Sequence, residues 1–240
     1  MTAATRYPAL HRLLTVARQL GALRERIVFI GGAIAPLLQE EAPFPAPRPT
    51  SDVDGVVATA SYTEAQLVQD ELVALGFRQA PATARHAHRW MGPTGIPFDL
   101  APAGQHAGAS GNPWDEIAVA TAVEAMLEPG FAIRHASAAA FLALKWSAYH
   151  DRGRDDPLNS HDLEDVLALI ASRPSIAREA VEAPTQLRAY LAQQAEAFLA
   201  NRYAEDLLAG HLNYAQDARA TMELVRERLL GIAEGGATRG

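Results

Sequence analysis

Three aspartates stand at spacings that could hold a divalent metal ion. Asp52 and Asp54 form an Asp-x-Asp pair in the run DVDGVVAT (52–59), and Asp99 lies in a later run, IPFDLA (96–101). Because successive side chains of a β-strand alternate between its two faces, Asp52 and Asp54 are predicted to project to the same side. Two carboxylates that close disfavour each other's ionised form unless a cation lies between them. Mg²⁺ is the natural cation, because proteins bind it through carboxylates together with substrate phosphates.

Asp99 is expected to add a third ligand from a neighbouring strand. Three carboxylates can hold two metal ions about 3.5–4 Å apart, the arrangement that stabilises the attacking and leaving oxygens in phosphoryl transfer. The competing interpretation places Asp52 and Asp54 at a solvated strand edge or in a turn, and it makes Asp99 an ordinary outward-facing polar residue.

A diglycine turn is the second feature that fits this chemistry. Gly31 and Gly32 end the run IVFIGG (27–32), whose β-branched and aromatic residues predict a buried strand. Without Cβ atoms, two glycines let backbone N–H groups approach phosphate oxygens, and a helix predicted over 33–41 would point its positive end at the same place. The alternative is that the glycines serve only to make a tight turn.

The basic residues single out one position. The chain has 21 lysine and arginine residues, and Lys145 is the only lysine. A compact ammonium and a planar guanidinium differ in hydration and geometry, so a site that needs lysine does not accept arginine. Lys145 is therefore a candidate for neutralising phosphate charge, against the alternative of a lone surface lysine. Arg48 and Arg152 could line a phosphate or RNA path, but arginine is the default basic residue of this chain.

The elements that must position these residues fall into two parts. Residues 1–135 have the pattern of an α/β (α+β) domain, and residues 136–240 have the pattern of an all-helical C-terminal domain. The turn Gly-Pro-Thr-Gly (92–95) predicts a hairpin between strands over 86–91 and 96–101. Helices are predicted over 9–23, 33–41, 62–75, 137–150, 161–171, 184–208 and 212–233. Loops are predicted over 42–49 and 103–113, with a turn at 128–130 between two short strands.

Composition limits the class of protein. The chain has no cysteine, which excludes disulfides and thiolate metal sites and suits a reducing cytoplasm. No apolar run approaches the roughly 20 residues of a membrane span, and the N-terminus lacks the apolar core of a signal peptide. We therefore expect a cytoplasmic protein with no membrane partner. The formal charge of −7 argues against coating nucleic acid by bulk electrostatics, although it leaves room for a local basic groove.

These segments resemble the nucleotidyltransferase superfamily, and the resemblance implies a nucleotidyltransferase-like mixed sheet with flanking helices in residues 1–135. The order FIGGAIAPLL, RPTSDVDGVV, IPFDLA follows the superfamily pattern of a Gly-Gly or Gly-Ser turn, an acidic pair and a third acidic residue. The closer likeness is to the AbiEii-type abortive-infection toxins and related MenT-like toxins, whose R-x-T-x-D-x-D string matches residues 48–54. In the second part, FLALKWSAYHDRGR and SHDLEDVLALI also resemble that branch. The resemblance covers residues 25–171, and the C-terminal helices carry no matching motif.

The resemblance implies a role for each matching residue. Asp52, Asp54 and Asp99 would bind two Mg²⁺ ions, and Asp99 would also help to deprotonate the acceptor. Contacts to the NTP are implied for Gly31, Gly32, Thr50, Ser51 and Lys145. Supporting roles are implied for Arg48, Arg152, Asp162 and Asp165. The last two aspartates lie three apart on one helix face, where they could position Lys145 or Arg152, although Asp162 could also serve only its own helix N-terminus.

The resemblance also implies an activity: transfer of a nucleoside monophosphate from an NTP to an acceptor hydroxyl, with release of pyrophosphate. For the toxin branch it implies tRNA or protein as the acceptor and a companion antitoxin. Two alternatives remain open. An antibiotic nucleotidyltransferase acting on a small aminoglycoside-type alcohol would use the same triad, and an acidic protein suits a cationic substrate. A non-catalytic nucleotide-binding scaffold would use the same fold, although binding alone does not need all three carboxylates.

Overall fold

The computed structural model describes residues 7–41, 47–81, 88–104, 106, 112–213, 215 and 217–236. The chain forms two compact units: the first contains Met1–Leu37 and Arg48–Ser137, and the second contains Leu38–Pro47 and Ala138–Gly240. The predicted division at 135/136 lies two residues before the junction between Ser137 and Ala138. The short segment Leu38–Pro47, which the sequence pattern assigned to the first domain, groups with the second unit.

The first unit is built around a mixed seven-stranded sheet in the order β3-β4-β5-β2-β1-β7-β6. The strands are β1 Ile27–Ile30, β2 Val53–Ala58, β3 Arg78–Gln79, β4 Arg89–Met91, β5 Pro97–Ala103, β6 Val123–Glu128 and β7 Phe131–His135. The helices of this unit are α1 Pro8–Gln19, α3 Tyr62–Ala74 and α4 Asp115–Ala120, together with α2 Ala35–Leu38 except for its last residue, and 3₁₀ turns lie at Gly21–Glu25 and Gly32–Ile34. The predicted mixed sheet with flanking helices is confirmed.

Strand β2 lies at the centre of the sheet and carries part of the acidic pair. It pairs antiparallel with β1 and parallel with β5, so that Asp54 lies opposite Ile30 on one side and opposite Asp99 on the other. Val53 and Phe98, one residue earlier on each strand, are both 0% exposed. Because neighbouring side chains of a strand face opposite sides, these apolar residues fix β2 and β5 in the core while Asp54 and Asp99 face the other way.

Both hairpins that the turns predicted are present. Strands β4 and β5 pair antiparallel with Met91 opposite Pro97, across the turn at 92–95. Strands β6 and β7 pair antiparallel around the turn that ends at Gly130, whose φ of 76° suits a residue without Cβ. Residues 86 and 87 of the first predicted strand lie outside the described part of the chain, as do residues 105 and 107–111 of the predicted loop.

The helix after the diglycine turn is shorter than the sequence pattern suggested. A 3₁₀ turn at Gly32–Ile34 leads into the single turn of α2, which ends at Leu38 instead of continuing to residue 41. Within the second unit, Arg173 Nη1 donates to the Leu38 carbonyl at 2.7 Å, and the Glu40 amide donates to the Ser172 carbonyl at 3.2 Å. These bonds draw the chain out of the helical path. An extended helix dipole aimed at the diglycine turn is therefore absent.

The second unit is all-helical in its described residues, as predicted. Its helices are α5 Ala138–Arg152, α6 His161–Ser172, α7 Ile176–Glu182, α8 Thr185–Leu199, α9 Ala204–Leu212 and α10 Ala218–Gly236. Ser160, predicted as the cap of the second helix, accepts a hydrogen bond from the Leu163 amide at the start of α6.

One predicted helix, 184–208, is wrong because it is two helices. Helix α8 ends at Leu199, and α9 starts only at Ala204. Between them, Asn201 Oδ1 accepts a hydrogen bond from the Tyr203 amide at 2.9 Å. An asparagine side chain that binds its own backbone in this way competes with helical hydrogen bonding. Apolar periodicity continues through this break, so the pattern alone did not reveal it.

Candidate active site

The structure brings Asp52, Asp54 and Asp99 together. Asp54 and Asp99 are direct neighbours across the parallel β2–β5 pairing, and Asp52 lies one residue before β2 begins. One carboxylate oxygen from each of the three residues lies within 4.8 Å of the other two. The side chains of Asp52 and Asp99 are 25% and 21% exposed, so solvent and a ligand can reach them. An isolated, solvated strand edge does not describe this cluster.

Gly31 lies against the triad. A Cβ built on Gly31 would lie well under 3.0 Å from the Asp54 carboxylate, and its φ of 70° is a value that side-chain-bearing residues rarely adopt. The close approach and the backbone conformation both require glycine here. The diglycine turn therefore has more than a turn-making role: its backbone forms one wall of the carboxylate cluster.

Thr50 joins the cluster to the segment that precedes β2. Its Oγ1 donates a hydrogen bond to Asp52 Oδ1 at 2.8 Å, and its Cβ lies 3.3 Å from where a Cβ of Gly32 would be. Thr50 is buried, whereas Ser51 beside it is exposed. Arg48 is half-buried, and its Nη1 donates to the Pro49 carbonyl at 3.2 Å. Thr50 and Asp52 of the Arg-x-Thr-x-Asp string thus lie beside the diglycine turn.

Arg89 is a member of the site that the sequence analysis missed. Its Nε donates to Asp99 Oδ1 at 2.8 Å, and its Nη2 donates to Asp99 Oδ2 and to Asp52 Oδ2, each at 2.7 Å. The hydrogen bond to Asp99 and the charges of Asp99 and Asp52 raise the pKa of Arg89 above its usual value, against the opposite effect of burial. The guanidinium is therefore a permanent positive charge within the triad.

A signal for Arg89 was present in the sequence. The predicted turn at 92–95 brings the two flanking strands together, but counting outward from it pairs 91 with 96 and 89 with 98. The observed register pairs 91 with 97, 90 with 98 and 89 with 99, one residue further along the second strand. Residues that lie directly opposite each other on antiparallel strands face the same side of the sheet. The predicted hairpin therefore brought Arg89 close to Asp99 along the sheet, but only the observed register places the two residues directly opposite each other.

The second unit contains a separate cluster around Lys145. Lys145 Nζ lies 3.2 Å from Asp162 Oδ1 and 2.5 Å from Asp165 Oδ2, and Arg152 Nε lies 2.8 Å from Asp162 Oδ2. Lys145, Asp162 and Asp165 are all buried, with exposures of 8%, 5% and 6%. The alternative of a lone surface lysine is wrong. Asp162 and Asp165 lie where they hold Lys145, and Asp162 also holds Arg152.

The pKa of Asp162 reflects the balance of charges in this cluster. Burial alone would raise the pKa of Asp162, but hydrogen bonds from Arg152 and Lys145 and the positive charges of both residues leave its pKa below the usual 3.8. Removing one partner from a buried ion pair leaves the other charge uncompensated, which costs about 3–5 kcal/mol. Asp162, Lys145 and Arg152 therefore act together as one structural group.

The mixed sheet with flanking helices gathers three aspartates beside a diglycine turn, which is the arrangement that the resemblance to nucleotidyltransferases implied. The chain belongs to the family of AbiEii nucleotidyl transferase toxins of type IV toxin–antitoxin systems, whose family model matches residues 106–232. The resemblance seen in the sequence is thereby confirmed. The matched residues include the whole Lys145 cluster, whereas the three aspartates and the diglycine turn precede them.

Solved structures similar to this chain include two nearly full-length matches. An antigenic nucleotidyltransferase-like protein from Paracoccidioides brasiliensis shares 17% identity at a TM-score of 0.44, over 90% of this chain and 92% of that one. JHP933 from Helicobacter pylori shares 14% identity at a TM-score of 0.44, over 96% of this chain and 94% of that one. No curated protein matches the sequence significantly. Among the described residues, no helix combines the length and apolar character that crossing a membrane requires.

Proposed function

We propose that this chain is a divalent-metal-dependent nucleotidyltransferase that moves a nucleoside monophosphate from an NTP to an acceptor hydroxyl. The observation that carries the proposal is the approach of three carboxylate oxygens to within 4.8 Å of one another beside Gly31. Membership of a nucleotidyl transferase family supports it independently, because the family match lies outside the triad.

The donor set suits Mg²⁺. Asp52, Asp54 and Asp99 offer only carboxylate oxygens, the hard ligands that Mg²⁺ prefers, and partial exposure leaves room for phosphate oxygens and water to complete the coordination. When bound, one or two such ions would neutralise charge on the reacting phosphate and on the leaving group. We assign the metal ligands to these three aspartates and the triphosphate contacts to Gly31, Gly32, Thr50 and Ser51.

In the proposed reaction the acceptor hydroxyl oxygen forms a bond to the α-phosphorus of the NTP. The bond between that phosphorus and the oxygen bridging to the β-phosphate breaks, and pyrophosphate leaves with the bonding electrons. The hydroxyl proton passes to a triad carboxylate, for which Asp99 is our candidate, and from there to solvent. The action of Lys145 on the phosphates and the supporting roles of Arg48, Arg152, Asp162 and Asp165 stay predictions.

For the acceptor we propose tRNA or a protein, with a companion antitoxin that restrains the enzyme. The description of the family as toxins of type IV toxin–antitoxin systems supports this choice. Such a toxin would act in the cytoplasm, where NTPs and tRNA are found. The formal charge of −7 means that an RNA acceptor needs a local basic groove, since the chain as a whole does not attract nucleic acid.

The test is a labelling experiment on the full chain. Each of the four NTPs, radiolabelled at the α-phosphate, is incubated with Mg²⁺ and with total tRNA, cell-lysate protein or an aminoglycoside. We expect label on tRNA or protein, and we expect Asp54→Asn to abolish it. Asp70→Asn, which changes the same chemical group at an exposed position on α3, should label as the wild type does. Label that persists in Asp54→Asn contradicts the mechanism, and label on the aminoglycoside alone indicates an antibiotic-modifying enzyme.

Growth of an expressing cell separates an enzyme from a binding scaffold. We expect expression of the chain to arrest growth and Asp54→Asn to relieve the arrest, because loss of one carboxylate removes the chemistry and leaves the surface nearly unchanged. Arrest that is equally strong with Asp54→Asn would point to a toxic binding function that needs no transfer.

A further inference from the structure

Arg89 occupies a bridging position within the carboxylate cluster. A single nitrogen, Nη2, lies 2.7 Å from an oxygen of Asp52 and 2.7 Å from an oxygen of Asp99. The adjacent Nε holds the second oxygen of Asp99, so the guanidinium grips that carboxylate with two parallel hydrogen bonds. Two of the three proposed metal ligands are thus joined through one positive group.

We propose that Arg89 is an internal counter-cation: it holds Asp52 and Asp99 in place while no metal is bound, and it competes with the divalent ion for their oxygens. This inference rests on the proposed function, because it assumes that the triad is a metal site.

The first argument for this role is electrostatic. Three carboxylates with oxygens within 4.8 Å of one another repel each other strongly in a partly buried site, and that repulsion would spread them apart. The ion pairs with Arg89 offset the repulsion for Asp52 and Asp99. Asp52 and Asp99 are therefore kept together while no metal is bound.

The second argument concerns what a metal ion would meet. A divalent ion that binds the same oxygens approaches a guanidinium that cannot lose its proton, so the two positive charges repel each other. The Arg89 guanidinium can make way for the metal ion only by changing its position. Its backbone is fixed in β4 directly opposite Asp99, but its long side chain has several rotatable bonds and can swing while the strand stays in place. Competition between Arg89 and the metal follows from this geometry.

Metal titration without nucleotide tests the inference directly. The affinity of the full chain for Mn²⁺ is measured by electron paramagnetic resonance for the wild type and Arg89→Gln. We expect Arg89→Gln to bind Mn²⁺ on the order of tenfold more tightly, the size of coupling that neighbouring charged side chains commonly show. Arg78→Gln removes the same charge from an exposed position on the neighbouring strand β3 and should leave the affinity unchanged.

Thermal unfolding supplies a second readout that is independent of activity. Without metal, Arg89→Gln should unfold at a lower temperature than the wild type, and Mn²⁺ should raise its unfolding temperature more than that of the wild type. Arg89→Lys keeps the charge but cannot make two parallel hydrogen bonds to Asp99. Its unfolding temperature without metal, and the rise in that temperature caused by Mn²⁺, should therefore lie between those of the wild type and Arg89→Gln. If Arg89→Gln is unfolded without metal, circular dichroism should show it fold as Mn²⁺ is added.

The outcomes separate this inference from the proposed function. Weaker or unchanged Mn²⁺ binding by Arg89→Gln overturns the competition, as does an Arg89→Gln that Mn²⁺ fails to fold. In those cases the proposed function still stands if Asp54→Asn abolishes both Mn²⁺ binding and nucleotide transfer. If instead the wild type and Asp54→Asn bind Mn²⁺ alike, the triad is not a metal site and the proposed function fails together with this inference.

Discussion

Two clusters of aspartates and basic residues in this molecule contain similar side chains but differ in net charge and in exposure to solvent. In the first unit, Asp52, Asp54, Asp99 and Arg89 lie together, and these four residues carry a formal charge of −2. In the second unit, Asp162 and Asp165 meet Lys145 and Arg152, which gives those residues a formal charge of zero. The first cluster is partly exposed, and the aspartates and the lysine of the second are buried.

The difference shows how similar side chains serve different purposes. An excess of negative charge that solvent can reach attracts a divalent cation, whereas a buried and balanced cluster cannot accept one without breaking an existing ion pair. Asp-x-Asp and Asp-x-x-Asp spacings look alike in a sequence. Net charge and access to solvent distinguish a ligand set from a structural network.

Breaking the second cluster should have the largest effect on stability. Lys145→Met leaves Asp162 and Asp165 buried without their ammonium partner, so we expect the free energy of unfolding to fall by about 3–5 kcal/mol. Urea denaturation of the full chain measures it. Arg178→Met removes an exposed cation that pairs with Glu182 on α7 and should cost at most about 0.5 kcal/mol. Equal effects of the two substitutions would show that the Lys145 cluster is not the tight group described above.

A smaller effect is expected from loosening the first cluster. Thr50→Val removes the hydrogen bond that orients Asp52 but leaves all three carboxylates in place. Since residues that orient metal ligands are commonly worth about 10–100-fold in affinity or activity, we expect a loss within that range in Mn²⁺ affinity and in kcat/KM for transfer. The exposed Thr63→Val on α3 is the matched control. An unchanged Mn²⁺ affinity in Thr50→Val would mean that Asp52 needs no such orientation.

The smallest expected effect is on the loss of stability at acid pH, tested by Asp162→Asn. The pKa of Asp162 is lowered in the folded state from its usual value of 3.8. The ionised carboxylate therefore stabilises the fold fully at pH values above 3.8, and this contribution is lost as the pH falls through the folded-state pKa. Urea denaturation between pH 7 and pH 3 should therefore show a smaller loss of stability for Asp162→Asn than for the wild type. A steeper acid loss in Asp162→Asn would contradict the sign of this shift.

Much of the fold followed from local pattern. The β-branched runs, the two hairpin turns and the amphipathic helices predicted most strands and helices, because alternation and helical periodicity depend on neighbours along the chain. The failures have two other causes, one local to the chain at Asn201 and one that depends on residues far along the chain from α2. Asn201 ends α8 through a side-chain hydrogen bond, and α2 ends where Arg173 and Ser172 bind the chain. Neither interaction changes the apolar periodicity from which the helices were predicted.

The candidate site divides in the same way. The triad, the diglycine turn and the partners of Lys145 were named from spacing and from resemblance to a family. Arg89 was missed, since its place beside Asp99 depends on the exact register of a hairpin and its contact with Asp52 depends on a bend before β2. The burial of Lys145 was also undecided, because a single lysine on a helix has the same sequence pattern whether it faces solvent or the core.

The amino-acid sequence by itself determined which groups are available: three carboxylates at strand spacings, two glycines after a buried strand, and one lysine on a helix. Only the tertiary structure decided which charges face each other. Pairing between β2, β4 and β5 places Arg89 among the aspartates, and the packing of the second unit closes Asp162 and Asp165 around Lys145. Electrostatic character depends on distance and on access to water, and both are set by contacts between residues far apart in the chain.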